Sequence, residues 1–280
     1  MTIARALSIA GSAAHGSAGI QADLKTFQER DVYGMAAITA IVAKNPVTAS
    51  SIFEQPLEAI EAQFYTATKN VGVDAMKTGM LFTTEIIELV VHLLKNEKDK
   101  PLVVDPVMIG KMGSQLLHDD AIETMKKQLF PLATILTPNR HEAAKLIGKK
   151  ELHTIEQLKD AARELHQFGP TYVVVKGGVI GEKAIDILYD GHQMMELVEP
   201  SVETIHTSGA GCSFSAAMTA ELAKGTKTME AVMLAKKYVT AAINHALSFG
   251  KGIGSTYHAA YRKFGEATNE GFGKKIKNLH

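Results

Sequence analysis

Short apolar runs alternate along this chain with segments in which apolar residues recur at helical spacing. The runs that predict strands cover residues 7–10, 36–43, 102–104, 133–136 and 172–175. After the first run, Ile20, Leu24 and Phe27 are spaced to form one face of a helix. Strands that alternate with helices favour a mostly parallel sheet with helices on both of its faces.

Residues with capping chemistry mark where several of these helices begin. Thr83 or Thr84 is expected to cap a helix at residues 85–94, whose apolar side chains form a stripe. Thr154 and Gln157 have the spacing of a capping box, in which two backbone N–H groups are satisfied reciprocally. Two long helices are predicted nearer the end of the chain, at residues 212–224 and 229–247.

In the last third of the chain the alternation of strands and helices is replaced by a hairpin pattern. Two strand candidates, 184–189 and 193–198, flank Asp190 and Gly191, and an Asp-Gly pair favours a type I′ turn. No Pro/Gly/Ser-rich linker and no internal repeat divides the chain, so we expect one domain over residues 1–280. The predicted fold class is three-layer α/β/α, with a mostly parallel central sheet and an antiparallel edge hairpin.

Composition and charge narrow the location and the partners of the protein. The 280 residues have a formal net charge of zero and no strongly basic end, which argues against a nucleic-acid surface or a polybasic membrane patch. No apolar run approaches the roughly 20 residues of a membrane helix. Cys212 is the only cysteine, so an intramolecular disulfide is impossible, and the chain does not open with a signal-peptide pattern. We therefore expect a cytoplasmic protein that binds neither nucleic acid nor membrane.

The residues with candidate chemistry follow the predicted strands, at the edge where ligands bind in parallel α/β sheets. Residues 11–19 form a Gly/Ser/Ala loop, but Ser17 stands where a P-loop has its phosphate-binding lysine. The loop also lacks the Gly-x-Gly-x-x-Gly pattern of dinucleotide sites. Taken alone, it is best explained as a tight turn between a strand and a helix. The chain has no Gly-x-Ser-x-Gly motif, so acyl hydrolysis has no support.

A second glycine-rich stretch, Gly-Ala-Gly-Cys at residues 209–212, begins an alanine-rich helix. The N–H groups and dipole of a helix start form an anion site, although a flexible helix start with a buried thiol explains the pattern equally well. Asn139 and Glu142 share one side of a first helical turn and are candidates to hold Mg²⁺ through water. An N-cap with a first-turn glutamate is the simpler explanation of that pair. Asp105 and Lys176 add a carboxylate and a cation at two further strand ends.

Taken together and in order, six stretches of the chain resemble the ribokinase superfamily. Within it, from about residue 6 to residue 258, the chain is similar to the hydroxymethylpyrimidine (phosphate) kinases and the related bacterial pyridoxal kinases. The stretches are Ala-Gly-Ile-Gln-Ala-Asp-Leu-Lys-Thr-Phe at 18–27, Lys-Thr-Gly-Met at 77–80, Val-Asp-Pro-Val-Met at 104–108, Thr-Pro-Asn-Arg-His-Glu at 137–142, Lys-Gly-Gly at 176–178 and Gly-Ala-Gly-Cys at 209–212. The resemblance implies a ribokinase-like fold and a transfer of the γ-phosphate of ATP, with Mg²⁺, to a hydroxymethyl group.

The resemblance also implies a role for each matching residue. It assigns the substrate ring to Gly11, Asp23, Lys44 and Met80. It assigns the ATP phosphates to Asn139, Lys176 and Gly178, and Mg²⁺ to Asp105 and Glu142. It assigns the anion hole and the catalytic position to Gly209, Ala210, Gly211 and Cys212. Cys212 stands where most sugar kinases of the superfamily carry an aspartate base, and a thiol at a helix start is expected to have a lowered pKa.

The chain departs from the family pattern mainly in the half of the site assigned to the substrate. Residues 13–17 read Ala-Ala-His-Gly-Ser where the family usually has Asp-Pro-Ser-Gly-Gly. Ser208 replaces a usual histidine, and Lys44 replaces the glutamine common in pyrimidine kinases. The second cysteine that some pyridoxal kinases carry is missing near Gly110. The substrate assignment is therefore less specific than the ATP assignment.

Three functions remain open on the sequence. The leading one is a kinase for 4-amino-5-hydroxymethyl-2-methylpyrimidine or its monophosphate, which serves thiamine biosynthesis or salvage. The alternative is a pyridoxal/pyridoxine kinase, because a pyridine and a pyrimidine that both bear CH₂OH fit similar pockets. The third is a weakly active ligand-binding paralogue, since a fold does not guarantee a function. We expect a homodimer whose partners are otherwise small molecules.

Overall fold

The structure is a computed structural model that describes residues 3–108, 117 and 119–265. Within these ranges one sheet has the strand order β3-β2-β1-β4-β5-β6-β7-β8-β9. The strands are β1 Arg5–Ala13, β2 Tyr33–Val42, β3 Ile52–Glu54, β4 Ala75–Thr78, β5 Leu102–Val104, β6 Ile135–Leu136, β7 Tyr172–Ile180, β8 Lys183–Tyr189 and β9 Met194–Pro200. Strands β2, β1, β4, β5, β6 and β7 run parallel, whereas β3, β8 and β9 are antiparallel to the strands that precede them in sequence.

Helices connect most of the parallel strands. They are α1 Gly19–Glu29, α2 Leu57–Tyr65, α3 Thr84–Leu94, α4 Asp119–Thr124, α5 Arg140–Leu146, α6 Ile155–His166, α7 Ala210–Ala223, α8 Thr228–Asn244 and α9 Ala260–Phe264. Wider helical turns extend α2 through Thr66–Val71 and α4 through Met125–Leu129. Among the described residues, no helix is both long and apolar enough to cross a membrane.

Side chains of the central strands alternate between the two faces of the sheet, as the period of a β-strand requires. In β5, Leu102 and Val104 pack in the core formed with α2 to α6, whereas Val103 packs against α7 and α8. Phe27 of α1 packs against Ala216 and Ala220 of α7 on that second face. The result is a three-layer α/β/α arrangement, as the sequence predicts.

The predicted caps are confirmed. The Thr83 side chain accepts a hydrogen bond from the N–H of Ile86 at 3.3 Å and so caps α3. Thr154 and Gln157 form both halves of the capping box at the start of α6. Helix α8 is shorter than predicted, because the backbone of Leu247 pairs with that of Ser255 instead of continuing the helix.

The edge hairpin is confirmed, but its predicted type I′ turn is wrong. A type I′ turn needs two consecutive residues with positive φ, and only Gly191 (φ 90°) has one. Asp190 instead accepts hydrogen bonds at Oδ1 from the N–H groups of His192 and Gln193. The side chain thus stabilises a conformation that the dipeptide alone does not predict.

Candidate active site

Lys176 lies in a charged cluster at the carboxyl edge of the sheet. Its Nζ donates to Asp105 Oδ1 at 2.9 Å, and a Cβ added to Gly211 would lie 3.3 Å from that Nζ. The N–H of Lys176 donates to Pro138 O at 2.8 Å, which ties β7 to the start of α5. Burial alone would lower the pKa of the Lys176 ammonium, but Asp105 and Glu142 outweigh it and raise that pKa. A charged ammonium therefore lies beside two carboxyl groups and the first turn of α7.

Asp105 follows β5 directly and is only 3% exposed. Besides Lys176, its carboxylate accepts hydrogen bonds from Thr137 Oγ1 at 3.4 Å and from Ser215 Oγ at 3.3 Å. Burial acts to raise the pKa of Asp105, but Lys176 and Lys77 hold that pKa below its ordinary value. The carboxylate is therefore ionised at neutral pH despite its burial.

Asn139 and Glu142 form a capping box at the start of α5. The simpler explanation of their spacing, an N-cap with a first-turn glutamate, is therefore confirmed. Asn139 Oδ1 accepts from the N–H groups of His141 and Glu142, at 2.9 and 3.0 Å, and Glu142 Oε2 accepts from the N–H of Asn139 at 2.8 Å. Burial, opposed by Lys176 and reinforced by Asp105, raises the pKa of Glu142 to about 7. The contacts of both residues with ATP or Mg²⁺ stay predictions.

The start of α7 is built on a glycine with a required conformation. Gly209 has φ 84°, in the left-handed region that favours glycine, and a Cβ there would overlap the carbonyl oxygen of Ser17. The loop after β1 therefore packs directly on the start of α7. Ser17 Oγ and Ser208 Oγ lie 2.7 Å apart, which links two positions that depart from the family pattern.

Cys212 lies between the first turns of α1 and α7. Its Sγ accepts from the N–H of Gly19 at 3.3 Å. Burial raises the pKa of the Cys212 thiol to about 11, and Lys77 opposes this only in part. The predicted lowering of this pKa is therefore wrong, because desolvation in the folded protein disfavours a thiolate more than the neighbouring cation and N–H group favour it.

A cavity of about 920 Å³ opens beside this cluster. Its polar lining includes Asn139, Lys176, Gly178, Asp186 and Lys236. Its apolar lining includes Val202, Phe214, Val239 and Ile243, and Ala210 and Gly211 of α7 form part of the wall. The structure thus brings the residues assigned to ATP together with the helix start assigned to the anion hole. An apolar slot that ends on a cation and a helix start matches a ligand with a flat ring and phosphate groups.

The four residues assigned to the substrate ring lie in three different settings: a contact between two of them, an exposed loop and a buried ion pair. Gly11 and Met80 are in contact, because a Cβ added to Gly11 would lie 2.5 Å from Met80 Cε. Met80 is 9% exposed, and its carbonyl oxygen accepts from Thr39 Oγ1 at 2.7 Å. Lys44 is exposed in the loop after β2. Gly110 lies outside the described residues.

Asp23 is fully buried in an ion pair. Its Oδ1 accepts from Lys77 Nζ at 2.7 Å and its Oδ2 from Ser8 Oγ at 2.6 Å. Burial alone would lower the pKa of Lys77, but Asp23 outweighs it and raises that pKa. Both Asp23 oxygens thus have partners inside the protein, and its contact with a substrate ring stays a prediction.

Sequence reasoning assigned no role to three charged residues of this region: Lys77, Asp186 and Lys236. Each lies next to an apolar residue within a strand or a helix and is buried, and a buried charge must be paired. A charged residue next to an apolar neighbour was therefore the signal that the sequence offered. The partners could not be identified from the sequence, because they lie on distant elements. Lys77 pairs with Asp23 of α1, and Lys236 pairs with Asp186 of β8.

Asp105 and Glu142 offer the oxygen ligands that Mg²⁺ prefers. Within the described part of the chain, no group of three or more His, Cys, Asp or Glu residues is arranged to hold a metal ion. Two carboxylates match the common Mg²⁺ site, in which substrate phosphates and waters supply the other ligands. The raised pKa of Glu142 is consistent with a divalent cation there, because a cation would offset both the burial and the nearby Asp105 charge. These residues therefore fit a Mg²⁺ ion that binds together with phosphates.

Known proteins share both the sequence and the architecture of this chain. The family model for phosphomethylpyrimidine kinase matches residues 14–257. The pyridoxine kinase of Bacillus subtilis (strain 168) is 47% identical over 266 residues, which cover 94% of this chain and 98% of that protein. The hydroxymethylpyrimidine/phosphomethylpyrimidine kinase of the same organism is 40% identical over 265 residues, with 94% and 97% covered. Pyridoxal kinase from Staphylococcus aureus, in complex with AMP-PCP and pyridoxal, has a TM-score of 0.87 and 39% identity, with 95% and 97% covered.

These similarities extend over nearly the whole chain and include both pyridoxine or pyridoxal kinases and a hydroxymethylpyrimidine/phosphomethylpyrimidine kinase. They confirm the expected ribokinase-like fold and the expected class of phosphotransferase. The chain is therefore a kinase, and it belongs to the phosphomethylpyrimidine kinase family of the ribokinase superfamily.

Proposed function

We propose that this protein transfers the γ-phosphate of ATP to the hydroxymethyl group of a small heteroaromatic substrate. One observation carries the proposal: Lys176, held by Asp105, lies next to the first turn of α7 at the wall of the 920 Å³ cavity. A cation, helix N–H groups and carboxylates are the parts that phosphoryl transfer requires, because its catalysis is mostly positioning and charge stabilisation. The Staphylococcus aureus pyridoxal kinase, solved with AMP-PCP and pyridoxal, supports both ligand classes.

In this mechanism several groups around Lys176 together stabilise the negative charge of the phosphates. Lys176 and the N–H groups of residues 209–212 hold the γ-phosphate, and Gly178, which has open space around it, lets the phosphates approach the backbone. Asp105 and Glu142 would hold Mg²⁺, which when bound neutralises charge on the β- and γ-phosphates.

Cys212 acts in this proposal as a neutral thiol that positions the hydroxymethyl oxygen. With a pKa of about 11, the thiol keeps its proton at neutral pH and is a poor general base. A loose transition state for phosphoryl transfer makes little use of a strong base, because bond formation to the attacking oxygen is not far advanced. The hydroxyl group therefore needs alignment more than early deprotonation.

The first candidate substrate is 4-amino-5-hydroxymethyl-2-methylpyrimidine or its monophosphate, in thiamine biosynthesis or salvage. The family model and the Bacillus subtilis hydroxymethylpyrimidine/phosphomethylpyrimidine kinase support it.

A second candidate, pyridoxal or pyridoxine, is favoured by a specific observation at Lys44. The ammonium group only donates hydrogen bonds, which suits the oxygen of the hydroxyl group attached to the ring of a pyridine vitamer. An aminopyrimidine presents donors and acceptors together, and a glutamine amide complements that edge better. The Bacillus subtilis pyridoxine kinase, at 47% identity, supports the same candidate.

One assay separates these candidates. ADP release is measured with ATP and Mg²⁺ and, in turn, with hydroxymethylpyrimidine, its monophosphate, pyridoxal and pyridoxine. The ring with the higher kcat/KM is the physiological class, and turnover of the monophosphate identifies a second phosphorylation step. Stabilisation of the protein by one of these compounds without any ADP release would contradict the kinase proposal in favour of a ligand-binding paralogue.

We also propose that the protein is a cytoplasmic homodimer. Ile41 of β2 and Phe53 of β3 lie opposite each other in the sheet, and both side chains are exposed. Leu57, which begins α2 four residues after Phe53, is also exposed. An apolar surface at the edge of a sheet is a common place for a second copy to bind. Light scattering on a chain of 30.2 kDa tests this directly, and a monomeric mass at micromolar concentration would contradict it.

A further inference from the structure

A second buried ion pair lies beside the Lys176–Asp105 pair in the wall of the large cavity. Lys236 Nζ of α8 donates to Asp186 Oδ2 of β8 at 2.8 Å. The two residues are 6% and 5% exposed, and both line the cavity. Buried charges are costly unless they are paired, so each of these two residues depends on the other.

Asp186 is also the direct cross-strand partner of Lys176. The Cα atoms of the two residues are paired in the β7–β8 register, which places their side chains on the same face of the sheet. A carboxylate opposite an ammonium is the expected ion pair, yet Lys176 donates to Asp105 and Asp186 accepts from Lys236. Lys236 therefore satisfies the carboxylate that would otherwise compete for Lys176.

The other oxygen of Asp186 holds the backbone that follows Lys176. Asp186 Oδ1 accepts from the N–H of Gly177 at 3.0 Å, inside the register shift between Lys176 and Val179. Gly177 has no room for a side chain, because an added Cβ would overlap the backbone carbonyl oxygen of Ile185. A charge-assisted hydrogen bond at a bulge fixes the course of the strand where pairing is interrupted.

We propose that Asp186 is a positioning residue for the phosphate-binding segment 176–178, and that Lys236 keeps it in that role. By accepting a hydrogen bond from the Gly177 N–H, Asp186 fixes the backbone conformation of the segment. Lys176 and Gly178 contact the nucleotide from that segment. Because Asp186 pairs with Lys236, it does not bind the Lys176 ammonium, which can then bind Asp105 and the phosphates. The inference rests on the proposed binding of ATP in this cavity and adds two residues that the family resemblance did not assign.

Two double variants isolate the hydrogen bond from the charge. Asp186→Asn/Lys236→Met removes both charges and keeps an oxygen that accepts from the Gly177 N–H. Asp186→Leu/Lys236→Met removes both charges and that acceptor as well. Neither leaves a buried charge unpaired, so large losses of stability from that cause are avoided in both. The measurements are the melting temperature, the Kd for ADP by calorimetry, and the KM values for ATP and the hydroxymethyl substrate.

We expect the Asn variant to bind ADP more tightly than the Leu variant, because both lack the Lys236 ammonium in the cavity wall and only the Asn variant keeps an acceptor for the Gly177 N–H. Relative to the Asn variant, the Leu variant should have a Kd for ADP and a KM for ATP that are about tenfold higher, as expected for one lost hydrogen bond. The KM for the hydroxymethyl substrate should not change. A merely structural role would lower the melting temperature without separating the two variants in nucleotide binding.

Lys236→Met alone supplies a second test that holds even if the Leu variant does not fold. Its unpaired Asp186 faces Lys176, so the KM for ATP should rise, and the added Asp186→Asn change should reverse that rise. Equal Kd values for ADP in the two double variants, or an unchanged KM for ATP in Lys236→Met, would overturn the inference while the ATP site stands. Failure of the wild-type protein to bind ADP would overturn the ATP site itself, and this inference with it.

Discussion

The nucleotide half and the ring half of the site are built in different ways. Beside the cavity, Asp105 follows β5 and Lys176 lies within β7, and their largely buried side chains form an ion pair with each other. The ring half also has a buried ion pair, between Asp23 and Lys77, but Lys44 is exposed in a loop and residues 13–17 depart from the family pattern. Paired, buried charges tolerate few substitutions, whereas an exposed loop residue is replaced at little cost in stability. We therefore expect the nucleotide half to tolerate substitution less well than the exposed loop residues of the ring half.

The largest expected effect tests whether the nucleotide half carries the chemistry. Asp105→Asn or Glu142→Gln should lower kcat by about 10²-fold or more, because each removes charge that would organise Mg²⁺ and phosphate. The measurement is kcat as a function of Mg²⁺ concentration, with Glu156→Gln on the exposed start of α6 as the control. Wild-type kcat in both variants at limiting Mg²⁺ would contradict the assignment of these carboxylates.

A second test uses the pKa of Glu142, which burial raises from 4.5 to about 7. A raised carboxyl pKa means that the folded state holds the proton more tightly than the unfolded state does. The protonated Glu142 therefore makes its full contribution to the free energy of unfolding below pH 4.5, and this contribution is lost as the pH rises through 7. Without nucleotide, wild type should lose about 3 kcal/mol of unfolding free energy relative to Glu142→Gln across that window. Urea unfolding between pH 4.5 and 8 measures the difference. Parallel pH curves for the two proteins would show that Glu142 titrates normally.

A third test concerns Cys212, at the boundary between the two halves. Because its thiol is neutral, Cys212→Ala should lower kcat by about tenfold, less than the ~10²–10⁴-fold typical of a general base. The KM for ATP should stay near wild type, since the anion hole is backbone. Cys212→Ser, which keeps a small polar group, is the matched control. A loss above 10³-fold, together with a kcat that follows a thiol pKa near 8, would contradict the neutral-thiol role and indicate that a Cys212 thiolate acts as a general base.

The smallest expected effect lies in the ring half. Lys44→Gln should raise the ratio of kcat/KM for hydroxymethylpyrimidine to that for pyridoxal by about three- to tenfold, the scale of one exchanged hydrogen bond. The melting temperature should not change, because Lys44 is exposed. Lys183→Gln, on the exposed edge hairpin, is the control and should leave the ratio unchanged. An unchanged ratio in Lys44→Gln would show that position 44 does not contact the ring.

Local patterns in the sequence were enough to predict much of the architecture. The alternation of apolar runs and helical stripes indicated the parallel sheet and its two helix layers. The spacing of Thr154 and Gln157 was enough to identify a capping box, and the hairpin at 184–198 was read from its flanking strands. These features depend on residues close in sequence, whose geometry is set by the backbone of one element. The short strands β3 and β4 were missed, because each contains a charged residue and so lacks the compact apolar run by which the equally short β5 was predicted.

Only the tertiary structure decided how the charged residues are paired and how strongly they are desolvated. The sequence by itself indicated a phosphate site near Lys176 and a thiol at a helix start, but it predicted a lowered pKa for Cys212. In the folded protein, burial raises that pKa to about 11. Likewise, the sequence showed Asp186 only as a residue of a predicted strand. The tertiary structure places it opposite Lys176 in the β7–β8 register and beside Lys236 of α8. Solvation and long-range ion pairs depend on which distant elements pack together, and no local pattern in the sequence contains that information.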